Sequence, residues 1–179
     1  MANTDLQKKL YSYIEKAIVE LEIPTIPESL YAPYSYTMNI GGKRIRPYLV
    51  LLSSGICDGK ISDALPSALA VEVLHNFTLV HDDIMDEAPL RRMEPTVHEK
   101  WNTNIAILSG DLMLIKAYQL LADCADQHRE EVMRVFSETA TLVCEGQQLD
   151  MDFESREDVS IEEYLYMIER KTAVLLGCS

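Results

Sequence analysis

The chain has 179 residues, 47% of them hydrophobic, enough for one domain with a sizeable core. Sixteen Lys and Arg against 29 Asp and Glu leave a net charge of −13, which speaks against nucleic acid and anionic membrane surfaces as partners. The start is polar, no apolar run approaches a membrane span, and Cys57, Cys124, Cys144 and Cys178 lack CxxC spacing; no secretory signal, reduced thiols and a cytoplasmic location are therefore expected.

Nearly everything then reads as helix. Leu6, Leu10, Tyr13, Ile14, Ala17, Ile18 and Leu21 recur at helical spacing and stop before Pro24. A second helix is predicted over residues 29–40, ended by Gly41-Gly42. Arg46-Pro47 opens a third, apolar through Ile56. After the turn at Cys57–Lys60, Ser62-Asp63 is expected to cap a long fourth helix reaching about Asp86. Pro89 and Pro95 bracket a loop carrying Arg91 and Arg92, and further helices are predicted near 104–124, 129–153 and from 160 onward. No alternating strand pattern exceeds a few residues, and no repeat is visible. The prediction is a single all-α domain over residues 1–179.

The densest chemistry lies in His81-Asp82-Asp83-Ile84-Met85-Asp86 and the Arg91-Arg92 pair behind it. Asp82 and Asp86 are four apart and share a helix face, where like charges repel unless a cation sits between them. Carboxylate oxygens suit Mg²⁺, which completes its shell with waters and substrate phosphates, and guanidinium forks match phosphate oxygens. A metal–diphosphate site is the leading reading. A solvated acidic helix end fits less well, because the flanking helix is apolar. Glu72, His75, Leu79, Asp82 and Asp86 form one stripe, read as a polar channel wall. His75 lies two turns below Asp82, close enough to touch a bound ligand but not to ligate its metal; a satisfied core histidine is as compatible. His81 points elsewhere as a structural residue. Asp83 lies about a hundred degrees off the stripe and supports the site rather than ligating.

The second cluster is Gly41-Gly42-Lys43-Arg44-Ile45-Arg46-Pro47, a tight basic turn leading into a helix N-terminus. Glycines admit close backbone approach, and helix N-termini attract anions, although the P-loop spacing is absent. Lys43 and Arg46 can share a face, with Arg44 pointing away. Two anion pockets, only one with evident metal ligands, imply two phosphorylated substrates with different metal needs.

The order GGKRIRP, HDDIMD, LRRMEPTVHEKW, LSGD, GQQLD and RKT resembles the trans-isoprenyl diphosphate synthases (polyprenyl synthetases), such as farnesyl and geranylgeranyl diphosphate synthases. The resemblance runs the length of the chain. It implies an isoprenoid synthase-type helical bundle that condenses isopentenyl diphosphate with an allylic diphosphate (dimethylallyl, geranyl or farnesyl) by ionisation, condensation and elimination. By the resemblance, Asp82 and Asp86 ligate Mg²⁺ with Asp83 assisting, and Arg91, Lys171 and Thr172 meet the allylic diphosphate. Lys43, Arg46, His75 and Arg92 serve the isopentenyl diphosphate, Gln147 and Asp150 line the cavity, and the enzyme is a homodimer. Phe77 and Thr78, a turn before Asp82, are the expected chain-length floor, leaning to a C15–C20 product.

The sequence departs from the family in two places. Met93 stands where the family often has glycine. The family's second aspartate-rich motif is missing, and Glu157, Asp158, Glu162 and Glu163 do not reproduce it. The chain is therefore expected to be the N-terminal part of a longer enzyme, with little turnover by itself. Rival readings are a non-catalytic subunit of a heteromeric synthase and an HD-type metal phosphohydrolase built on His81-Asp82. The latter needs more histidine ligands, drawn from His75, His98 and His128, and leaves the basic turn unexplained. A terpene cyclase binds one diphosphate and would not need Lys43 and Arg46.

Overall fold

The computed structural model describes residues 2–179, apart from the side chains of residues 2–4 and Asp126. It is a helical bundle in which α1 (Ala2–Val19), α2 (Glu28–Asn39) and α3 (Ile45–Ile56) lead into the long central α4 (Ile61–Met85). Leu10, Ile14 and Ile18 repeat every four residues and are the positions of α1 that enter the core. The middle of α4, Ala68 through Leu74, is buried on every side, the mark of a helix enclosed by others. It packs against α3 and most extensively against α6 (Thr103–Ala122), with α7 (Asp126–Glu154) crossing its upper part. Close approach of α4 to α6 depends on Gly110, where a Cβ would stand 2.6 Å from His81 Cδ2.

Three elements depart from the sequence-based expectation. The loop after α4 contains a small hairpin, β1 (Leu90–Arg91) and β2 (Glu94–Pro95), turned by Arg92-Met93 with both φ angles positive, 54° and 71°. The hairpin runs into a short helix, α5 (Val97–Lys100). The last helical segment is not continuous. After α8 (Ile161–Ile168) comes a π-helical turn, Glu169–Ala173, and then α9 (Val174–Gly177). A Cβ on Gly146 of α7 would lie 2.6 Å from Lys171 Cα, so backbone meets backbone where the turn widens.

Two smaller corrections concern α4 and α6. The residue before α4 is Lys60, without a side-chain cap, while Ser62 Oγ bonds Asp63 inside the first turn. The expectation that no apolar run approaches a membrane span also fails, because α6, 20 residues with mean hydropathy 1.5, meets that measure of length and composition. Core helices meet it as well. Here Ala106, Ser109, Gly110, Met113, Ala117 and Leu121 turn inward, while Ile107, Leu108 and Ile115 remain exposed.

Candidate active site

Asp82 and Asp86 stand at the C-terminal end of α4, with Asp86 as its C-cap and no basic residue in the last turn. The helix dipole is negative there and disfavours carboxylates by about 0.3–1 kcal/mol each. Burial raises the Asp86 pKa, as does the charge of Asp82, with Asp150 and Glu154 adding to it against the opposing Lys171. So much negative charge needs a cation, and two side chains supply part of it. Lys171 Nζ, carried by the π-turn, lies 2.5 Å from Asp150 Oδ2 and 3.2 Å from Asp82 Oδ1. Burial works against its charge, but the hydrogen bond to Asp150 and the charge of Asp82 prevail and its pKa is raised. Arg91 clamps Asp83 with Nε and Nη2 at 2.6–2.9 Å, its Nη2 also 3.7 Å from Asp82 Oδ2. Asp83 is almost fully buried, so its carboxylate is committed to holding Arg91.

Among the described residues no three His, Cys, Asp or Glu side chains form a ready metal cage. The carboxylates do fit Mg²⁺ as a partly hydrated ion. Asp82 Oδ1 is buried and, despite the nearby Lys171 ammonium, lacks a hydrogen bond of good geometry. A Mg²⁺ that takes one or two carboxylates plus water and phosphate oxygens matches that donor set.

Below the carboxylates a cavity of about 370 Å³ opens between α4, α7 and the π-turn. Phe77, Thr78, Asp82, Gln147, Lys171 and Thr172 line it, together with His75 and Arg46. Phe77 stacks edge-on against His81, whose Nε2 meets Ile107 O at 3.2 Å, so His81 has a structural part as well as a place on the wall. Gln147 Nε2 donates to Met85 Sδ at 3.7 Å, and Asp150 meets the cavity only through Lys171.

A second cavity, about 420 Å³, lies on the other side of His75 and is lined by Gly42, Lys43, Arg46 and Arg92, with Arg44 and Glu72 at its base. Arg46 and His75 border both spaces, Arg46 Nη1 sitting 3.2 Å from His75 Nε2. The predicted stripe on α4 is thus divided, with Glu72 facing one cavity, Asp82 the other and His75 shared. Burial lowers the His75 pKa to about 3, with Arg46, Arg92, Arg91 and Arg44 pushing the same way. The imidazole is neutral at physiological pH, so Nε2 accepts from Arg46. Burial also lowers the pKa values of Arg46 and Arg92, the latter further under the charge of Arg44. Gly42 carries no side chain because the Arg92 guanidinium lies against its backbone; a Cβ would stand 2.6 Å from Nη1.

Of the predicted site residues, Lys43, Arg46, His75, Phe77, Thr78, Asp82, Arg92, Gln147, Lys171 and Thr172 line one of these two cavities, whereas Asp83, Asp86 and Arg91 line neither. Sequence reasoning missed the support beneath the cavities, namely the pairing of Arg44 with Glu72 and Glu15 and the tight seat of Lys171 on Gly146. Neither leaves a local signal, because the partners lie 25 to 29 residues apart in the chain. Another cavity, about 490 Å³, lies toward the opposite end of α4 among Val71, Leu121 and Phe136 and is lined by none of the predicted residues.

The chain is 45% identical to the geranylgeranyl diphosphate synthase of Methanosarcina mazei, over all of this chain and 56% of that one. It is 40% identical to a short chain isoprenyl diphosphate synthase of Methanothermobacter thermautotrophicus, over 98% of this chain and 54% of that one. A geranylgeranyl pyrophosphate synthetase from Pyrococcus horikoshii has the same fold with TM-score 0.91 at 38% identity, over 99% of this chain and 56% of its own. The chain thus spans about half the length of the relatives it matches. The polyprenyl synthetase family model matches residues 27–179, and with relatives this similar across its length, this chain belongs to that family.

Proposed function

We propose that the whole protein is a Mg²⁺-dependent prenyltransferase that condenses isopentenyl diphosphate with an allylic diphosphate. The observation that carries this reading is the pair of cavities meeting at His75 and Arg46, one lined by Asp82 and Lys171, the other by Lys43, Arg46 and Arg92 with its one carboxylate, Glu72, held by Arg44. A metal-assisted leaving group and a metal-free diphosphate need that division. Relatives named geranylgeranyl diphosphate synthase and short chain isoprenyl diphosphate synthase support it.

Asp82 and Asp86 would hold Mg²⁺, which when bound neutralises charge on the departing diphosphate. Lys171, Thr172 and Arg91 bind the same allylic diphosphate, Arg91 kept in place by Asp83. Their charges stabilise the leaving group as the C–O bond breaks toward an allylic cation. Lys43, Arg46 and Arg92 hold the isopentenyl diphosphate with neutral His75 between the two substrates. The isopentenyl double bond attacks the cation, and a proton leaves for the released diphosphate. No protein nucleophile is required. The apolar wall formed with Phe77, Val143 and Leu175 excludes water that would quench the cation.

Phe77 and Thr78 serve as the chain-length floor, favouring a C15–C20 product. The exposed apolar residues of α6 form the contact of a homodimer, and the four free cysteines fit a reducing, cytoplasmic setting. The 179 residues alone are expected to turn over little. The test is incubation of the whole protein with Mg²⁺, isopentenyl diphosphate and dimethylallyl, geranyl or farnesyl diphosphate, sizing the products. Chain extension is expected, and Asp82→Asn should lower kcat by about 10²–10³-fold. Absence of extension with every primer would overturn the reading.

A further inference from the structure

Arg44 is the one basic residue of the Gly41–Arg46 turn that is buried. It is 3% exposed, has left-handed φ of 46°, and every nitrogen of its side chain has a partner. Nη1 donates to Glu72 Oε1 of α4 at 2.6 Å, Nη2 to the Met38 carbonyl of α2 at 2.7 Å, and Nε to Glu15 Oε1 of α1 at 3.2 Å. Glu72 is equally buried and accepts one further bond at 3.3 Å, from Asn76. Its carboxylate borders the same basic cavity as Lys43, Arg46, His75 and Arg92. A buried carboxylate at the base of an anion site opposes the anion unless a fixed cation cancels it.

We propose that Arg44 is a positioning residue for the isopentenyl diphosphate pocket, cancelling Glu72 and fixing the basic turn to α4; this rests on the function proposed above. The left-handed backbone at Arg44 turns its side chain inward while Lys43 and Arg46 stay on the cavity. The tie to Glu72, one turn below His75, sets Arg46 Nη1 at 3.2 Å from His75 Nε2. Lysine could not replace it, since one ammonium cannot reach three acceptors fixed on three helices.

The experiment measures binding by calorimetry on the whole protein. Isopentenyl diphosphate and inorganic pyrophosphate are titrated without Mg²⁺, and an allylic diphosphate with it. Arg44→Gln should raise the Kd for isopentenyl diphosphate and pyrophosphate at least about tenfold, leaving the allylic Kd within about twofold. Adding Glu72→Gln to Arg44→Gln should recover most of the loss, because the opposing charge is then gone. A purely structural role would weaken both substrates alike, because an unpaired buried Glu72 loosens the whole bundle. Equal weakening of both substrates, unchanged binding, or an unrecovered double variant overturns the proposal, as does loss of fold in both variants by circular dichroism. Wild-type protein that binds pyrophosphate but not isopentenyl diphosphate counts against the prenyltransferase reading alone, and the pyrophosphate titrations still decide the role of Arg44.

Discussion

A histidine facing four guanidiniums is poorly placed to take a proton. His75 is buried, and Arg46, Arg92, Arg91 and Arg44 all disfavour its charge, so its folded pKa falls to about 3. Glu72 is the acidic group near the same cavity, but Arg44 already holds it. In the unfolded chain the imidazole titrates near 6.5. Between these values the unfolded state binds more protons, so stability from a neutral His75 is complete above about pH 6.5 and is lost as pH falls toward 3. The slope from this group alone is up to about 1.4 kcal/mol per pH unit. Asp86, whose pKa is raised by burial and by Asp82, has the opposite sign, since its protonation favours the fold as pH drops through the carboxylate range. Urea denaturation from pH 7 to 4.5 should therefore show falling stability in the wild type and a flatter profile in His75→Gln. Parallel profiles would show that His75 does not carry this dependence. At this scale much of the site was legible. Asp82, Asp86 and the arginines signal themselves by charge placed where an apolar helix gives it no local reason. The commitment of Asp83 to Arg91 was not, because only the folded hairpin brings the guanidinium back to α4.

The hairpin shows what an element can demand of its sequence. Its two-residue connection has positive φ at both Arg92 and Met93, the backbone of a type I′ turn for which Asn-Gly is the usual choice. Met93 is 88% exposed, so its side chain gives little packing in return. Holding an unbranched L-residue in that region costs roughly 1–2 kcal/mol, partly offset in a glycine variant by the greater freedom of the unfolded chain. Met93→Gly should thus raise the urea-denaturation free energy by roughly 0.5–1 kcal/mol, with Arg92 still lying on Gly42. A loss of stability would mean that the turn is not strained at Met93. The same reasoning explains which elements could be read in advance. Boundaries of α2 and α3 were legible to within a residue or two, because Gly41-Gly42 and Pro47 act locally. The hairpin was not, since Arg-Met carries no turn signal. Nor was the π-turn at Glu169–Ala173, whose widened backbone sits where Gly146 leaves room across a gap of more than twenty residues.

At the scale of the molecule, the two diphosphates of the proposed reaction would approach a chain of net charge −13 whose long-range field opposes them. The answer is local concentration, with Lys43, Arg46 and Arg92 drawn from two segments onto one cavity. The same acidity makes self-association depend on apolar contact rather than on complementary charge. In the proposed homodimer α6 would supply that contact, because its inner face is fixed on α4 while Leu108 and Ile115, two turns apart, stand 59% and 56% exposed. An apolar stripe on a helix this long is what a two-fold interface uses, each copy presenting the same side chains to the other. In a symmetric contact a new charge appears twice and meets itself, so Leu108→Glu with Ile115→Glu places four carboxylates in one interface. Light scattering behind size exclusion on the whole protein should give a dimer for the wild type and a monomer for the double variant at micromolar concentration. Circular dichroism should remain helical in both, since neither residue belongs to the buried core. A wild-type monomer, or a double variant that remains dimeric, would show that this face of α6 is not the contact.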